Sequence, residues 1–139
     1  MRIESTVELE VGGEIKMYIV SNNGDFECDN IEEFENKLKV CFEEGNEIWC
    51  SIHLDEEFPC LAILTGKIGA SITYFSENND EQYVSIGNRE AEGMELFLNG
   101  QYEVERCQIT SYEAAIACAM EFFETRRRPN NIEWDALYE

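Results

Sequence analysis

Positive charge is scarce in this sequence: 10 Lys and Arg stand against 30 Asp and Glu in 139 residues, a formal net charge of −20. A chain with so few cations cannot assemble the Lys/Arg surface that phosphate neutralisation requires, so direct nucleic-acid binding is not expected. No stretch of about 18 apolar residues occurs, and no basic amino-terminal region precedes an apolar run, so neither membrane insertion nor export is expected. The cytoplasm is the expected compartment. The chain holds one histidine and two prolines. Its six cysteines (Cys28, Cys41, Cys50, Cys60, Cys107, Cys118) never form a C-x-x-C pair. In a reducing compartment they read as small buried hydrophobes, with no disulfide framework, metal site or cofactor expected.

Hydrophobic residues make up 44% of the chain and aromatics 12%, enough to give a chain of this length one core. A single domain over 1–139 is expected. Val7, Leu9 and Val11, then Gly12-Gly13, then Ile15, Met17 and Ile19 predict a β-hairpin, and Ser21 to Asp25 a turn. From Asp29 or Asn30 the apolar residues Ile31, Phe34, Leu38, Cys41 and Phe42 recur at helical spacing, with Gly45 past the end, which predicts a helix over about 30–44. Strands are expected at Ile48–Leu54, with His53 mid-strand, at the doubly apolar run Cys60–Leu64, at Ala70–Phe75 and at Gln82–Ile86. Met94, Leu96 and Leu98 run into Asn99-Gly100, the dipeptide favoured in type I′ turns, and Tyr102 and Val104 lead away from it: a hairpin. Thr110 with Glu113 reads as a capping box opening a second helix over about 111–127, stapled by Ile109 and running out before Pro129. Residues Asn131 to Leu137 alternate polar and apolar, a last strand or docked turn. The expected fold is α+β: a meandering, mainly antiparallel sheet of about six to eight strands with two amphipathic helices, and Phe34, Leu38 and Trp134 as core anchors.

Reactive constellations are few. His53-Leu54-Asp55 has no C-x-x-C to complete a deaminase zinc shell. Gly69-Ala70-Ser71-Ile72 lacks the second glycine of a nucleophile elbow, and Gly66 with Gly69 lacks the Lys-Ser/Thr of a phosphate loop. No catalytic residue and no metal ligand is assigned. What remains is the placing of acidic residues in predicted loops: Asp55-Glu56-Glu57, then Glu77 with Asp80 and Glu81, then Glu90 with Glu92. Each cluster could be a solvated surface alone. Together, on loops held by a stiff sheet, they suit a cationic partner surface, with Tyr74, Phe75 and Tyr83 as aromatic anchors beside them.

At the carboxyl end, the strand after Asn99-Gly100 is followed by Ile109-Thr110-Ser111-Tyr112-Glu113-Ala114-Ala115. Glu121-Phe122-Phe123 lies near the helix end, and Arg128-Pro129-Asn130-Asn131-Ile132-Glu133-Trp134 closes the pattern. This resembles the immunity-protein-one family of bacterial polymorphic toxin systems. The resemblance implies a non-enzymatic antidote that binds the C-terminal domain of a cognate nucleic-acid-attacking toxin; a monomer or weak dimer is expected. It supplies no catalytic residues. Arg126-Arg127 stands where the family carries a small residue. The competing expectations are an acidic nucleic-acid mimic or adaptor that binds basic host proteins, and a small hydrolase built around His53.

Overall fold

The computed structural model describes residues 16–53 and 58–137. Seven strands form one antiparallel sheet and two more form a separate hairpin, with both helices packed on one face of the large sheet. The elements are β1 (Met17–Ser21), β2 (Gly24–Cys28), α1 (Ile31–Cys41), β3 (Glu47–Ser51), β4 (Cys60–Thr65), β5 (Ala70–Phe75), β6 (Gln82–Ile86), β7 (Met94–Phe97), β8 (Tyr102–Glu105), a 3-10 turn (Arg106–Gln108), α2 (Tyr112–Thr125) and β9 (Glu133–Ala136). The large sheet runs β2-β1-β3-β4-β5-β6-β9 and the small one pairs β7 with β8. This is the expected α+β fold with two helices.

Alternation decides which side of each strand is buried. Met17, Ile19, Ile48, Cys50, Leu61, Ile63, Ile72 and Tyr74 line one face, and against them pack Phe34, Leu38 and Cys41 of α1 and Ala115, Cys118, Ala119 and Phe122 of α2. β4, apolar on both faces, takes the centre of the sheet. Phe34 and Leu38 are fully buried, and Phe34 meets Phe123 with ring centroids 5.0 Å apart. Trp134 is half-buried on β9; it packs edge-on to Tyr74 and its Nε1 donates to the Pro129 carbonyl at 2.7 Å.

Several expectations need correction. The expected partner strand Val7–Val11 lies outside the described residues, and both edges of β1 are already taken, by β2 and by β3. The expected turn Ser21–Asp25 is shorter, because Gly24–Cys28 is itself a strand: Phe26 and Cys28 alternate with Asp25 and Glu27, a signal as good as that of Val7–Val11. β3 stops at Ser51, so His53 stands exposed in the following connection and not mid-strand. The second helix is capped by Ser111, whose hydroxyl accepts from the Ala114 amide at 3.0 Å. Thr110 cannot serve as cap, because its amide and carbonyl form a two-way bridge with Ala70, each bond 2.8 Å. That helix ends at Thr125, where Arg126 takes the left-handed conformation (φ 61°) and donates its amide to the Phe122 carbonyl at 2.8 Å. The guanidinium of Arg126, driven below its ordinary pKa by burial, donates to the Lys16 carbonyl at 3.2 Å, so this arginine is structural.

The β7–β8 hairpin closes as its Asn-Gly predicts. Leu98 (φ 55°), Asn99 (φ 56°) and Gly100 (φ 85°) are three consecutive positive-φ residues, and the Gln101 amide donates to the Leu98 carbonyl at 3.1 Å. Its core is a satellite of the main one: Phe97, Val104 and Ile109, with Tyr102 and with Leu64 from the sheet. Leu64 projects from the sheet face opposite Leu61 and Ile63, so the hairpin sits on the side away from the helices.

Candidate functional site

Strand direction separates the expected acidic loops into two groups. β6 begins beside the β5–β6 connection, residues 76–81, and ends beside residues 87–93. Glu77, Asp80 and Glu81 therefore stand at one end of the sheet, and Glu90 and Glu92 at the other, next to the hairpin. Asp55, Glu56 and Glu57 lie outside the described residues. The connection that carries them leaves β3 at Ser51 and returns at Cys60, which pairs with Phe75, so its two anchors flank the Glu77 end.

The 76–81 turn is held by its own side chains. The Ser76 hydroxyl donates to an Asp80 carboxylate oxygen at 2.7 Å and accepts from the Glu81 amide at 3.0 Å, while the Ser76 amide donates to the Glu81 carbonyl at 3.0 Å. Asn79 takes the left-handed conformation (φ 56°) that the tight reversal needs. Glu77, Asp80 and Glu81 are all exposed on this organised turn.

The three expected aromatic anchors fare differently. Tyr74 is 8% exposed and belongs to the core, wedged among Phe122, Trp134 and Tyr83; burial raises its phenol above the ordinary pKa. It is not a surface anchor, because position 74 faces the helices. Phe75, on the other face, is half-buried in a stack with Trp49 (centroids 5.9 Å) and Phe58 (5.8 Å). Tyr83 carries Arg128 over its ring at 3.9 Å, and its hydroxyl donates to Glu81 at 3.3 Å. Arg128 thus covers an aromatic ring beside the acidic turn.

The sheet face away from the helices carries a cross-strand row that sequence reasoning did not assemble: Asp25, Val20, Trp49, Ala62, Thr73, Val84 and Asp135 face one another across all seven strands. An aspartate ends the row at each edge. Asp135 is tied with Glu133 to Arg89, at 3.1 and 2.6 Å. The indole of Trp49 donates to Glu47 at 3.2 Å.

Two shallow depressions lie on the helical side, one of about 410 Å³ lined by Asn30, Glu33, Lys37 and neighbours, the other of about 560 Å³ between α1 and α2, lined by Glu35, Ile116, Met120 and Glu124 among others; His53 lines neither. Among the described residues no group of three or more His, Cys, Asp or Glu side chains could hold a metal ion, and no helix is long and apolar enough to cross a membrane. Five of the six cysteines, Cys28, Cys41, Cys50, Cys60 and Cys118, are buried. Burial pushes the Cys28 thiol up to about 11 and raises Cys50 and Cys118 as well, so they are poor nucleophiles.

The chain is similar to a double-stranded DNA deaminase immunity protein of Burkholderia cenocepacia (strain H111): 28% identical over 128 residues, covering 87% of this chain and the whole of that protein. No family model matches the chain.

Proposed function

We propose that this chain is an immunity protein: it binds and neutralises the C-terminal toxin domain of a cognate polymorphic or contact-dependent toxin, without catalysing a reaction. The observation that carries this reading is the alignment to a deaminase immunity protein along that protein's entire length. A toxin fitting the charge of this chain would be a nuclease or nucleobase deaminase, which must hold a polyanion in a basic cleft. A ligand of net charge −20 is drawn to such a cleft, at rates of about 10⁸ to 10⁹ M⁻¹s⁻¹ at low salt, and occupies it in place of substrate.

The acidic turn of Glu77, Asp80 and Glu81, set beside Phe75 and Tyr83, is the part of the surface we assign to steering. Asp55, Glu56 and Glu57 in the neighbouring connection belong to the same proposal, and Glu90 and Glu92 extend it at the opposite end. Hydrogen bonds inside the 76–81 turn hold the Asp80 carboxylate and the turn backbone in place before contact, which lowers the ordering cost of binding. Co-expression with the toxin domain of the adjacent upstream gene tests the reading. Cells carrying both genes are expected to survive and the two proteins to co-purify; growth arrest despite accumulation of this chain would sink it.

A further inference from the structure

Of the aromatic side chains beside the acidic loops, Tyr74 is buried in the core, and Phe75 and Tyr83 are partly covered by their ring and cation neighbours. The exposed apolar side chains beside carboxylates lie elsewhere. In the β7–β8 hairpin Met94 faces Glu105 and Leu96 faces Glu103, all four on the side away from Phe97 and Val104. Leu96 is 63% exposed and Met94 47%; among the described residues no large apolar side chain is more exposed than Leu96. Between Arg89 and Arg106 the chain has five glutamates and no Lys or Arg. Both flanking arginines are engaged away from this face, Arg106 with Glu95 at 2.7 Å and Arg89 with Glu133 and Asp135.

Resting on the reading of this chain as a toxin-binding antidote, we propose that the outer face of this hairpin is the anchoring contact, and that its occupant is a Lys/Arg-bearing surface of the toxin domain. The chequered pattern suits that chemistry. A Lys or Arg side chain can lay its methylene stem along Leu96 or Met94 while its cationic head meets Glu103 or Glu105, so one residue satisfies both halves of each cross-strand pair. A second copy of this chain is a poor occupant, since two such faces in register would oppose carboxylate to carboxylate. The face is also rigidly mounted. Phe97, 1% exposed, locks the hairpin to Leu64, and the backbone of Gly66 approaches its ring so closely that an added Cβ would lie 2.6 Å from the Phe97 Cζ. Two four-residue strands cover too little area for a whole interface, so the face acts as its energetic centre, with Glu90 and Glu92 at its margin.

The test is the affinity of the purified full chain for the toxin domain encoded by the adjacent gene, by surface plasmon resonance at physiological salt. Leu96→Glu is expected to weaken binding at least about 30-fold, mostly through faster dissociation. Val40→Glu, an equally exposed apolar site (59%) on α1, is expected to stay within about twofold of the parent chain. Glu103→Lys, which leaves Leu96 in place and inverts the charge, should lose binding comparably, and circular dichroism should show both hairpin variants folded. If the parent chain binds and Leu96→Glu and Glu103→Lys both bind within threefold of it, the hairpin assignment is wrong while the antidote reading stands. If the parent chain neither binds nor inhibits the toxin domain, both fall. Self-association of the parent chain abolished by Leu96→Glu would make a second copy the occupant and overturn the proposal.

Discussion

Replacing Phe97 with alanine should detach the β7–β8 hairpin from the body of the protein without unfolding the sheet. The satellite cluster has three buried side chains, Phe97, Val104 and Ile109. At about 1.5 to 3 kcal/mol for each fully buried side chain, they contribute roughly 6 kcal/mol before the entropy of ordering the hairpin is subtracted. A buried Phe→Ala change removes about 3 to 5 kcal/mol, most of that sum. What remains is a two-stranded ribbon of four-residue strands, which alone is marginal in water. Native-state hydrogen exchange reads the outcome. Amides of residues 94–105 should fall to near-unprotected rates, a loss of about 10² to 10⁴-fold from the parent protein. Amides of β3, β4 and β5 should lose at most that increment and stay protected, because Ile48, Leu61, Ile63 and Ile72 belong to the main core with the helices and not to the satellite cluster. One common free energy of exchange for hairpin and central strands, in parent and variant alike, would refute the division into two cores.

Three further outcomes follow from the same physics. Asn46, 2% exposed, accepts from the amides of Asn22 (3.0 Å) and Glu47 (2.9 Å) and donates to the Cys41 carbonyl (2.8 Å), so Asn46→Ala should cost about 2 to 4 kcal/mol in urea unfolding; a cost under about 0.5 kcal/mol would mean the network is dispensable. Because burial raises the thiols of Cys28, Cys50 and Cys118, the folded chain keeps protons that the unfolded chain gives up above the ordinary thiol value. Stability should thus be level up to about pH 8.5 and then fall by about 1.4 kcal/mol per pH unit for each such thiol, and an unchanged urea midpoint at pH 10 would contradict it. Raising salt from about 0.05 to 0.5 M should slow association with the toxin domain at least about tenfold while changing dissociation little. An acidic nucleic-acid mimic would instead bind several unrelated basic proteins and release all of them in that salt.

Periodicity and turn chemistry made most of the fold legible. β5, β6 and the Asn99-Gly100 hairpin stand where alternation and dipeptide preference put them, because local sequence and tertiary context agree there. β2 escaped because its five residues begin at a glycine and include two acids, which read as more turn. The Thr110 cap failed for a tertiary reason: the bridge to Ala70 claims that residue's backbone, a contact across 40 positions of sequence that no local window contains. The candidate site was less legible than the fold. Which acidic loops share an end depends on strand order, and which aromatics reach the surface depends on which face the helices cover. Tyr74 and Phe75 are neighbours in sequence yet one is core and the other is not. The signal for the hairpin face was present, in Met94 and Leu96 alternating with Glu95 on a strand whose opposite side needs Phe97; it reads as core until the register sets Leu96 opposite Glu103.

The most direct measurement of the central claim is a titration of toxin activity. Increasing amounts of this chain, added to a fixed amount of the adjacent gene's toxin domain acting on DNA or RNA at physiological salt, should abolish activity at one equivalent, with a tight complex recovered by size exclusion. Undiminished activity at a large molar excess, with the two proteins eluting apart, would contradict it.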